Sequence, residues 1–138
     1  MSVQPAQFPY VEMDPALGSA SRHPYLPITL ANQQQTVTAI GLADSGGTIN
    51  VLPHDVGLRL GFVWQLQTTS VRLTGNLAGV EARVITLNAT VAPFSPVLLA
   101  FAWAKVEKVP IILGQVNFFM EFDVCFFRSR SVFEVKPK

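Results

Sequence analysis

The chain has one cysteine and few charged residues, and both shortages exclude some classes of protein. Cys125 is the single cysteine among 138 residues, so no disulfide can form within the chain and a secreted disulfide scaffold is not indicated. Charged residues make up only 14% of the sequence, and the basic ones are scattered. We therefore expect no nucleic-acid partner and no polybasic membrane patch. His23 and His54 stand apart from other metal-ligating residues, so we expect no metal site.

The sequence also lacks a long hydrophobic run and a leader pattern. Its longest apolar stretch, residues 97–104, is far shorter than the roughly 20 residues that a transmembrane helix needs. The first residues, Met-Ser-Val-Gln-Pro-Ala-Gln, have neither the basic start nor the apolar centre of a signal peptide. We therefore expect a cytoplasmic protein with no membrane partner.

Hydrophobic residues, in contrast, are abundant at 49% of the chain. A length of 138 residues fits one domain with a substantial core. So many apolar residues beside so few charges often mean that part of the apolar surface is covered in an oligomer. Residues 1–24 contain four prolines and little apolar periodicity, which predicts an extended or disordered N-terminal arm before a domain of residues 25–138.

From residue 25 onward the pattern is typical of β-strands. Strands are predicted at 25–30, 35–42, 48–52, 68–74, 80–90, 97–103 and 109–113, with a closing hairpin of 123–127 and 131–135. Residues 54–60 are predicted to form a short helical turn after Pro53. The main predicted helix is 115–122, whose Phe118, Phe119 and Phe122 have the spacing of core residues. Cys125 alternates with phenylalanines and is predicted to be a buried strand thiol. The pattern indicates an all-β protein.

Ala43-Asp-Ser-Gly-Gly47 is the most informative stretch of the chain. It lies between two apolar strands, where a carboxylate is costly unless it has a function. Asp, Ser and Gly are also ordinary turn residues, so Asp44 taken alone could simply cap backbone N–H groups. Two further motifs follow it: Gly75-Asn-Leu-Ala-Gly79, whose residues tolerate the positive φ of a hairpin tip, and Val109-Pro-Ile-Ile-Leu-Gly114 before the predicted helix.

The order of these motifs resembles the retropepsin family, the single-domain, homodimeric aspartic proteases of retroviruses and their bacterial and cellular relatives. The resemblance runs from about Tyr25 to Val135. It implies a small closed β-barrel with one short C-terminal helix, functional as a homodimer. It also implies an aspartic endopeptidase that acts on peptide or protein substrates and needs no cofactor.

The resemblance assigns a role to each motif. Asp44 corresponds to the catalytic acid, and the dyad would consist of Asp44 from two copies of the chain. Ser45, Gly46 and Gly47 correspond to the support of the catalytic loop, with the Ser45 hydroxyl bracing the dyad across the dimer axis. The remaining positions are the flap and substrate-binding hairpin, Thr74, Gly75, Asn76, Leu77, Ala78 and Gly79, and the segment that crosses near the catalytic loop, Ile112, Leu113 and Gly114, where Gly114 would open the helix.

Three positions depart from the family pattern. The residue after the aspartate is more often Thr than Ser45, and the residue at Gly47 is commonly Ala. Thr48 stands where many members carry an acid that holds the substrate main chain. These departures leave open a non-catalytic dimerisation or peptide-binding module on the same fold.

An unrelated β-barrel binding protein, with Asp44 as a turn residue only, is a third possibility. A second acid in the same chain is not expected to complete the dyad. Asp55 lies near a predicted helix start and Asp123 follows the predicted helix, and neither stands in a second Asp-Ser-Gly.

Overall fold

The computed structural model describes residues 3–138 and consists mainly of short β-strands. The strands are β1 (Ala6–Pro9), β2 (Val11–Glu12), β3 (Arg22–His23), β4 (Tyr25–Asn32), β5 (Gln35–Ala43), β6 (Val51–Pro53), β7 (Ser70–Val71), β8 (Ala82–Thr90), β9 (Val97–Ala104), β10 (Ile111–Leu113), β11 (Phe122–Phe127) and β12 (Val132–Pro137). The helices are α1 (His54–Arg59) and α2 (Phe118–Glu121), with 3-10 turns at Pro15–Ser21, Trp64–Leu66, Gly75–Leu77 and Arg128–Arg130. The all-β prediction is confirmed.

Six strands close into a barrel in the order β4, β5, β10, β6, β9, β8, and β8 pairs back with β4. β7 extends the sheet beyond β8. Most pairs are antiparallel, but β10 runs parallel to β5 and β6 runs parallel to β9. Because the ring is closed, its six strands leave few unpaired edges. The predicted small closed barrel is therefore present.

Alternation of apolar and polar residues explains the first hairpin. β4 and β5 pair from Tyr25 opposite Leu42 to Asn32 opposite Gln35, and the two-residue turn has Gln33 at φ +54°. The inward residues of β4, Leu26, Ile28 and Leu30, are almost fully buried. Burying side chains of this size contributes about 1.5–3 kcal/mol each, which drives barrel formation.

The apolar interior consists of two clusters. The larger one fills the barrel and includes Leu52, Trp103, Phe118 and Phe122. The burial of Phe118 and Phe122 confirms their predicted place in the core. The smaller cluster consists of Val51, Leu73, Ala82, Ala102 and Ala104, and it lies where the predicted flap meets the barrel wall.

The N-terminal segment forms short strands and a 3-10 turn in its described part. β1 pairs with β12, and β12 pairs with β11, giving a three-stranded sheet. The ring of Phe8 stacks on that of Phe133 with centroids 5.6 Å apart. The disordered alternative therefore differs from the structure, because apolar contacts with the C-terminal strand hold this segment. The domain boundary at residue 25 stays a prediction.

Three other local predictions differ from the structure. The strand expected at 68–74 is only Ser70–Val71, because its pairing with β8 covers just Ser70 opposite Arg83 and Val71 opposite Ala82. The expected helix 115–122 shortens to α2, since the Val116 carbonyl, which such a helix would pair with the Met120 N–H, accepts from the Asn50 N–H instead. The prediction for Cys125 is wrong: it lies on the exposed face of β11. No helix within residues 3–138 is long and apolar enough to cross a membrane.

Candidate active site

Asp44 directly follows β5 and is anchored on both sides of that strand. The N–H of Ala43 donates to the carbonyl of Pro24 at 3.0 Å, and the N–H of Asp44 donates to the carbonyl of Leu113 at 2.9 Å. The side chain of Asp44 is half-buried. The parallel pairing of β5 with β10 thus determines where this carboxylate leaves the barrel.

The Asp-Ser-Gly-Gly stretch forms a tight turn around the Asp44 carboxylate. The N–H of Gly46 donates to Asp44 Oδ1 at 3.0 Å, and the N–H of Gly47 donates to the Asp44 carbonyl at 3.0 Å. A β-carbon on Gly47 would come within 3.3 Å of the carboxylate carbon. The turn role considered for Asp44 is therefore real, yet a carboxylate has lone pairs beyond the one that this bond uses.

The predicted crossing segment, residues 112–114, contacts this turn through its pairing with β5. Ile112 and Leu113 lie beside Leu42 and Ala43 in the parallel pair. The backbone approaches most closely at Gly114, where a β-carbon would come within 2.6 Å of the carbonyl oxygen of Ile49. The structure thus brings the predicted segment to the Asp44 loop. Gly114 does not open the helix, however, since α2 begins only at Phe118.

The residues after Gly114 also bind the loop. The N–H of Gln115 donates to the Gly47 carbonyl at 2.9 Å, and the N–H of Val116 donates to the Thr48 carbonyl at 2.8 Å. The side-chain amide of Gln115 donates to the Ser45 carbonyl at 2.8 Å. Sequence reasoning did not single out Gln115, because a surface glutamine carries no distinctive pattern.

A cleft of about 360 Å³ opens on one side of Asp44. Its lining includes Gly46, Gly47 and Thr48 of the loop, Thr74, Gly75, Asn76 and Leu77 of the predicted flap, and the apolar residues Ile49, Val51, Leu73, Val109, Pro110 and Ile112. Asp44 is the one charged residue in this lining. Of the predicted flap, Ala78 and Gly79 lie outside the lining. The structure thus places much of the predicted flap and the predicted catalytic loop on one cleft.

The predicted flap is a 3-10 turn rather than the tip of two long strands. Gly75 and Gly79 have φ of +64° and +86°, which favour glycine. The N–H of Ala78 donates to the Gly75 carbonyl at 3.1 Å, closing the turn. Beneath it, Leu73 is buried in the smaller apolar cluster and Leu77 packs against that cluster. These two leucines connect the segment to the wall of the cleft.

A second cavity of about 420 Å³ lies on another side of Asp44. Its lining comprises Tyr10, His23, Pro24, Leu42, Ala43, Asp44, Ser45 and Phe126. Sequence reasoning missed this cavity because it joins the N-terminal segment, the loop after β5 and the C-terminal sheet. Asp55 and Asp123 line neither cavity. Within residues 3–138 there is also no cluster of three or more His, Cys, Asp or Glu that could hold a metal ion.

The architecture has counterparts among solved structures. The chain is similar to a retropepsin-like aspartic protease from Rickettsia conorii, with a TM-score of 0.66, 13% identity, and coverage of 96% of this chain and 91% of that one. The chain has a retropepsin-like fold. The retroviral protease-like domain of Ddi1 from Leishmania major is also similar, with a TM-score of 0.57, 19% identity, and coverage of 73% of this chain and 79% of that one.

The predicted retropepsin-like fold is therefore confirmed. No protein-family model and no curated protein matches the sequence. At identities of 13% and 19%, the likeness shows the fold alone. What the retropepsin-like chain does must be argued from Asp44 and its surroundings.

Proposed function

We propose that this chain is an aspartic endopeptidase whose active site forms between two copies, each supplying Asp44. The observation that supports this most is the position of Asp44 in a retropepsin-like fold. Its carboxylate stands at the end of β5, in a turn bound by the crossing segment, and borders a cleft that the residues Thr74–Leu77 also line.

A second copy is needed because the chain brings only one carboxylate to this cleft. Aspartic proteolysis requires two carboxyl groups close together. A two-fold homodimer presents the same patch from both copies, so it sets Asp44 beside its own counterpart. Ser45 is exposed next to Asp44, which suits the proposed contact of its hydroxyl with the partner copy.

The proposed chemistry divides the work between the two carboxyl groups. Like charges about 3 Å apart cannot both ionise readily, so the pair holds one proton. The ionised member takes a proton from water, and the resulting hydroxide attacks the scissile carbonyl carbon. The protonated member gives its proton to the carbonyl oxygen, which forms a tetrahedral diol. The C–N bond then breaks as the carboxyl group that took the proton from water gives it to the leaving nitrogen, while the other carboxylate takes back a proton from the diol, so that the pair again holds one proton. No metal or cofactor takes part in these steps.

The cleft is suited to an extended peptide. Apolar side chains, among them Ile49, Leu73 and Ile112, form much of its lining and can contact the side chains of a peptide. The segment Thr74–Leu77 lines the same cleft as a 3-10 turn, which uses the Leu77 N–H and the carbonyls of Thr74 and Gly75 internally, so it covers the cleft and does not pair with the peptide as a strand. We propose that this segment acts as the flap, closing over the peptide and excluding water. The substrate would be a peptide or protein, and we expect it in the cytoplasm.

The test is cleavage of a peptide library across about pH 3 to 7 by the native chain and by Asp44→Asn at matched concentration. Asn is nearly isosteric and retains an oxygen that can accept from the Gly46 N–H, so folding should survive. We expect cleavage by the native chain only, with a maximum at acidic pH, because the pair must hold a single proton.

Two other outcomes would contradict the proposal. If both proteins are folded dimers and neither cleaves peptides, a non-catalytic dimerisation or peptide-binding module is the better interpretation. Equal cleavage by both proteins would mean that the activity does not depend on Asp44.

A further inference from the structure

Asn50 is an isolated polar residue in an apolar part of the barrel. It lies one residue before β6, and it has no exposed surface. Within residues 3–138 the other buried polar residue is Ser21, which lies in the N-terminal segment. A buried amide is costly unless its donors and acceptor are all paired, so its partners show what it holds.

All the side-chain bonds of Asn50 go to two neighbouring segments. Asn50 Oδ1 accepts from the N–H of Gly114 at 2.8 Å. Asn50 Nδ2 donates to the carbonyl of Ala100 in β9 at 3.0 Å and to Asn117 Oδ1 at 2.9 Å. Asn117 Oδ1 accepts in addition from the N–H of Ala100 at 3.2 Å. The two amides thus connect β9 with residues 114–117.

The backbone of Asn50 reinforces the same connection. Its N–H donates to the carbonyl of Val116 at 3.0 Å, and its carbonyl accepts from the N–H of Ala102 at 2.8 Å. Since a side-chain amide combines two donors and an acceptor in one plane, neither Leu nor Asp could reproduce the full set. Leu would leave the Gly114 N–H without its partner, and Asp would lose both donors.

Residues 113–116 are the segment that binds the Asp44 loop. Leu113 accepts from the N–H of Asp44, and Gln115 and Val116 donate to Gly47 and Thr48. Asn50 and Asp44 therefore bind the same peptide group: Asn50 Oδ1 accepts from the Gly114 N–H, and the Asp44 N–H donates to the Leu113 carbonyl. A shift of that peptide group would move the Asp44 carboxylate, and a small displacement of a reacting group lowers the rate strongly.

We propose that Asn50, together with Asn117, is a positioning residue for Asp44: it locks residues 114–117 to β9 and so holds the Asp44 loop in place. The catalytic part of this inference rests on the proposed function, whereas the effect on the loop does not. If the role of Asn50 were merely structural, replacing it would lower global stability but would loosen the Asp44 loop no more than replacing any other core residue.

The experiment compares Asn50→Leu and Asn117→Ala with Leu30→Ala in the full chain. Leu30 is fully buried near the C-terminal end of β4. The contact with the strand that leads to Asp44 lies at the opposite end, where Pro24 accepts from the Ala43 N–H. Leu30→Ala serves as a control for loss of stability alone. Asn117 is only half-buried, so Asn117→Ala keeps the test open if Asn50→Leu does not fold.

The first measurement is amide hydrogen exchange at Asp44, Gly47 and Gln115, whose N–H groups are all bonded in the native loop. We expect exchange to rise by about tenfold or more in the Asn variants relative to Leu30→Ala at the same margin below each unfolding midpoint. An increase no greater than in Leu30→Ala would overturn the positioning role, whether or not the protein cleaves peptides.

The second measurement is steady-state cleavage of a peptide that the native chain cuts. We expect kcat to fall about tenfold or more in the Asn variants, with KM within about twofold of native, because the carboxylate is displaced while the cleft remains. Equal losses in Leu30→Ala would overturn the catalytic part. If the native chain cleaves nothing, the proposed function fails, and the exchange result still decides the positioning role.

Discussion

Gly114 lies so close to Ile49 that a β-carbon on Gly114 would come within 2.6 Å of the Ile49 carbonyl oxygen. The obstructing atom belongs to the backbone, so a side-chain rotation cannot relieve the overlap. The close approach lets the Gly114 N–H reach Asn50 Oδ1 and lets Gln115 bind the Asp44 loop. The glycine of the apolar-Leu-Gly motif is thus required by the distance between two backbone segments.

Gly114→Ala should destabilise the protein by about 2–3 kcal/mol, because the added methyl group forces these two backbone segments apart. Denaturant unfolding measures the loss. Gly46→Ala is the matched control in the same site, since a β-carbon there would meet Asp44 Oδ1 at an ordinary 3.5 Å. It should cost less than about 1 kcal/mol. Equal losses in the two variants would contradict the close approach at Gly114.

Mixing native chains with Asp44→Asn chains should suppress cleavage. With a ninefold excess of the variant and free exchange of subunits, only about one tenth of the native chains pair with another native chain, so activity should fall to about one tenth. A peptide-cleavage assay after equilibration measures this. The control is the same excess of heat-denatured variant, which should have no effect. Activity that depends only on the amount of native chain would mean that one copy suffices.

Replacing the glycines of the proposed flap should lower kcat/KM strongly and the free energy of unfolding only slightly. Gly75 and Gly79 have positive φ, so Gly75→Ala and Gly79→Ala should each cost about 1 kcal/mol through backbone strain. If the segment covers the peptide, kcat/KM should fall about tenfold, because the strained turn no longer closes over the peptide in its native position. Gly18→Ala is the control, because Gly18 has a φ of +56° and lies in the N-terminal segment outside both cavities. It should cost a similar amount of stability and leave kcat/KM near native. Native kcat/KM in both glycine variants would argue against a flap.

Arg83 should stabilise the barrel through Trp64. Its guanidinium carbon lies 4.6 Å from the centre of the Trp64 ring, and its Nη1 donates to the Trp64 carbonyl at 2.7 Å. Arg83→Met should cost about 1–2 kcal/mol in urea unfolding, because the cation–π contact and the hydrogen bond are both lost.

Lys105→Met provides a comparison on the same ring. The Lys105 ammonium lies 4.9 Å from the centre of the Trp64 ring, but its side chain is 48% exposed. Solvent screens that contact, so the loss should stay under about 1 kcal/mol. A larger loss in Lys105→Met than in Arg83→Met would contradict the importance of the Arg83 hydrogen bond.

Local elements of this fold were predictable from the chain itself. The alternation of β4 and β5 indicates a hairpin because a strand exposes successive side chains to opposite faces. The turn at Arg128–Arg130 and the apolar residues on either side of it likewise indicate the closing hairpin. Helix α2 was predicted too long, because propensity could not foresee that the Val116 carbonyl would accept from the distant Asn50 N–H instead of the Met120 N–H.

The candidate site was predictable only in part, because only some of its residues stand in local sequence motifs. Asp44, the glycines after it and Gly114 stand in motifs that can be read along the chain. Asn50 could have been suspected, since a polar residue inside an apolar strand is unusual. Its partners Ala100, Gly114 and Asn117 could not, because a hydrogen-bond network of this kind depends on three separate segments.

The sequence by itself determined an all-β chain, its hairpins, a candidate acid in a glycine turn and a resemblance to the retropepsins. Only the tertiary structure decided the closure of β8 on β4, the insertion of β10 between β5 and β6, and the sheet that joins β1 to β12. The physical reason is the distance along the chain over which each interaction acts. Alternation and turn chemistry act between neighbours in the chain, whereas closure, parallel pairing and the position of Asp44 between two cavities depend on packing between distant segments.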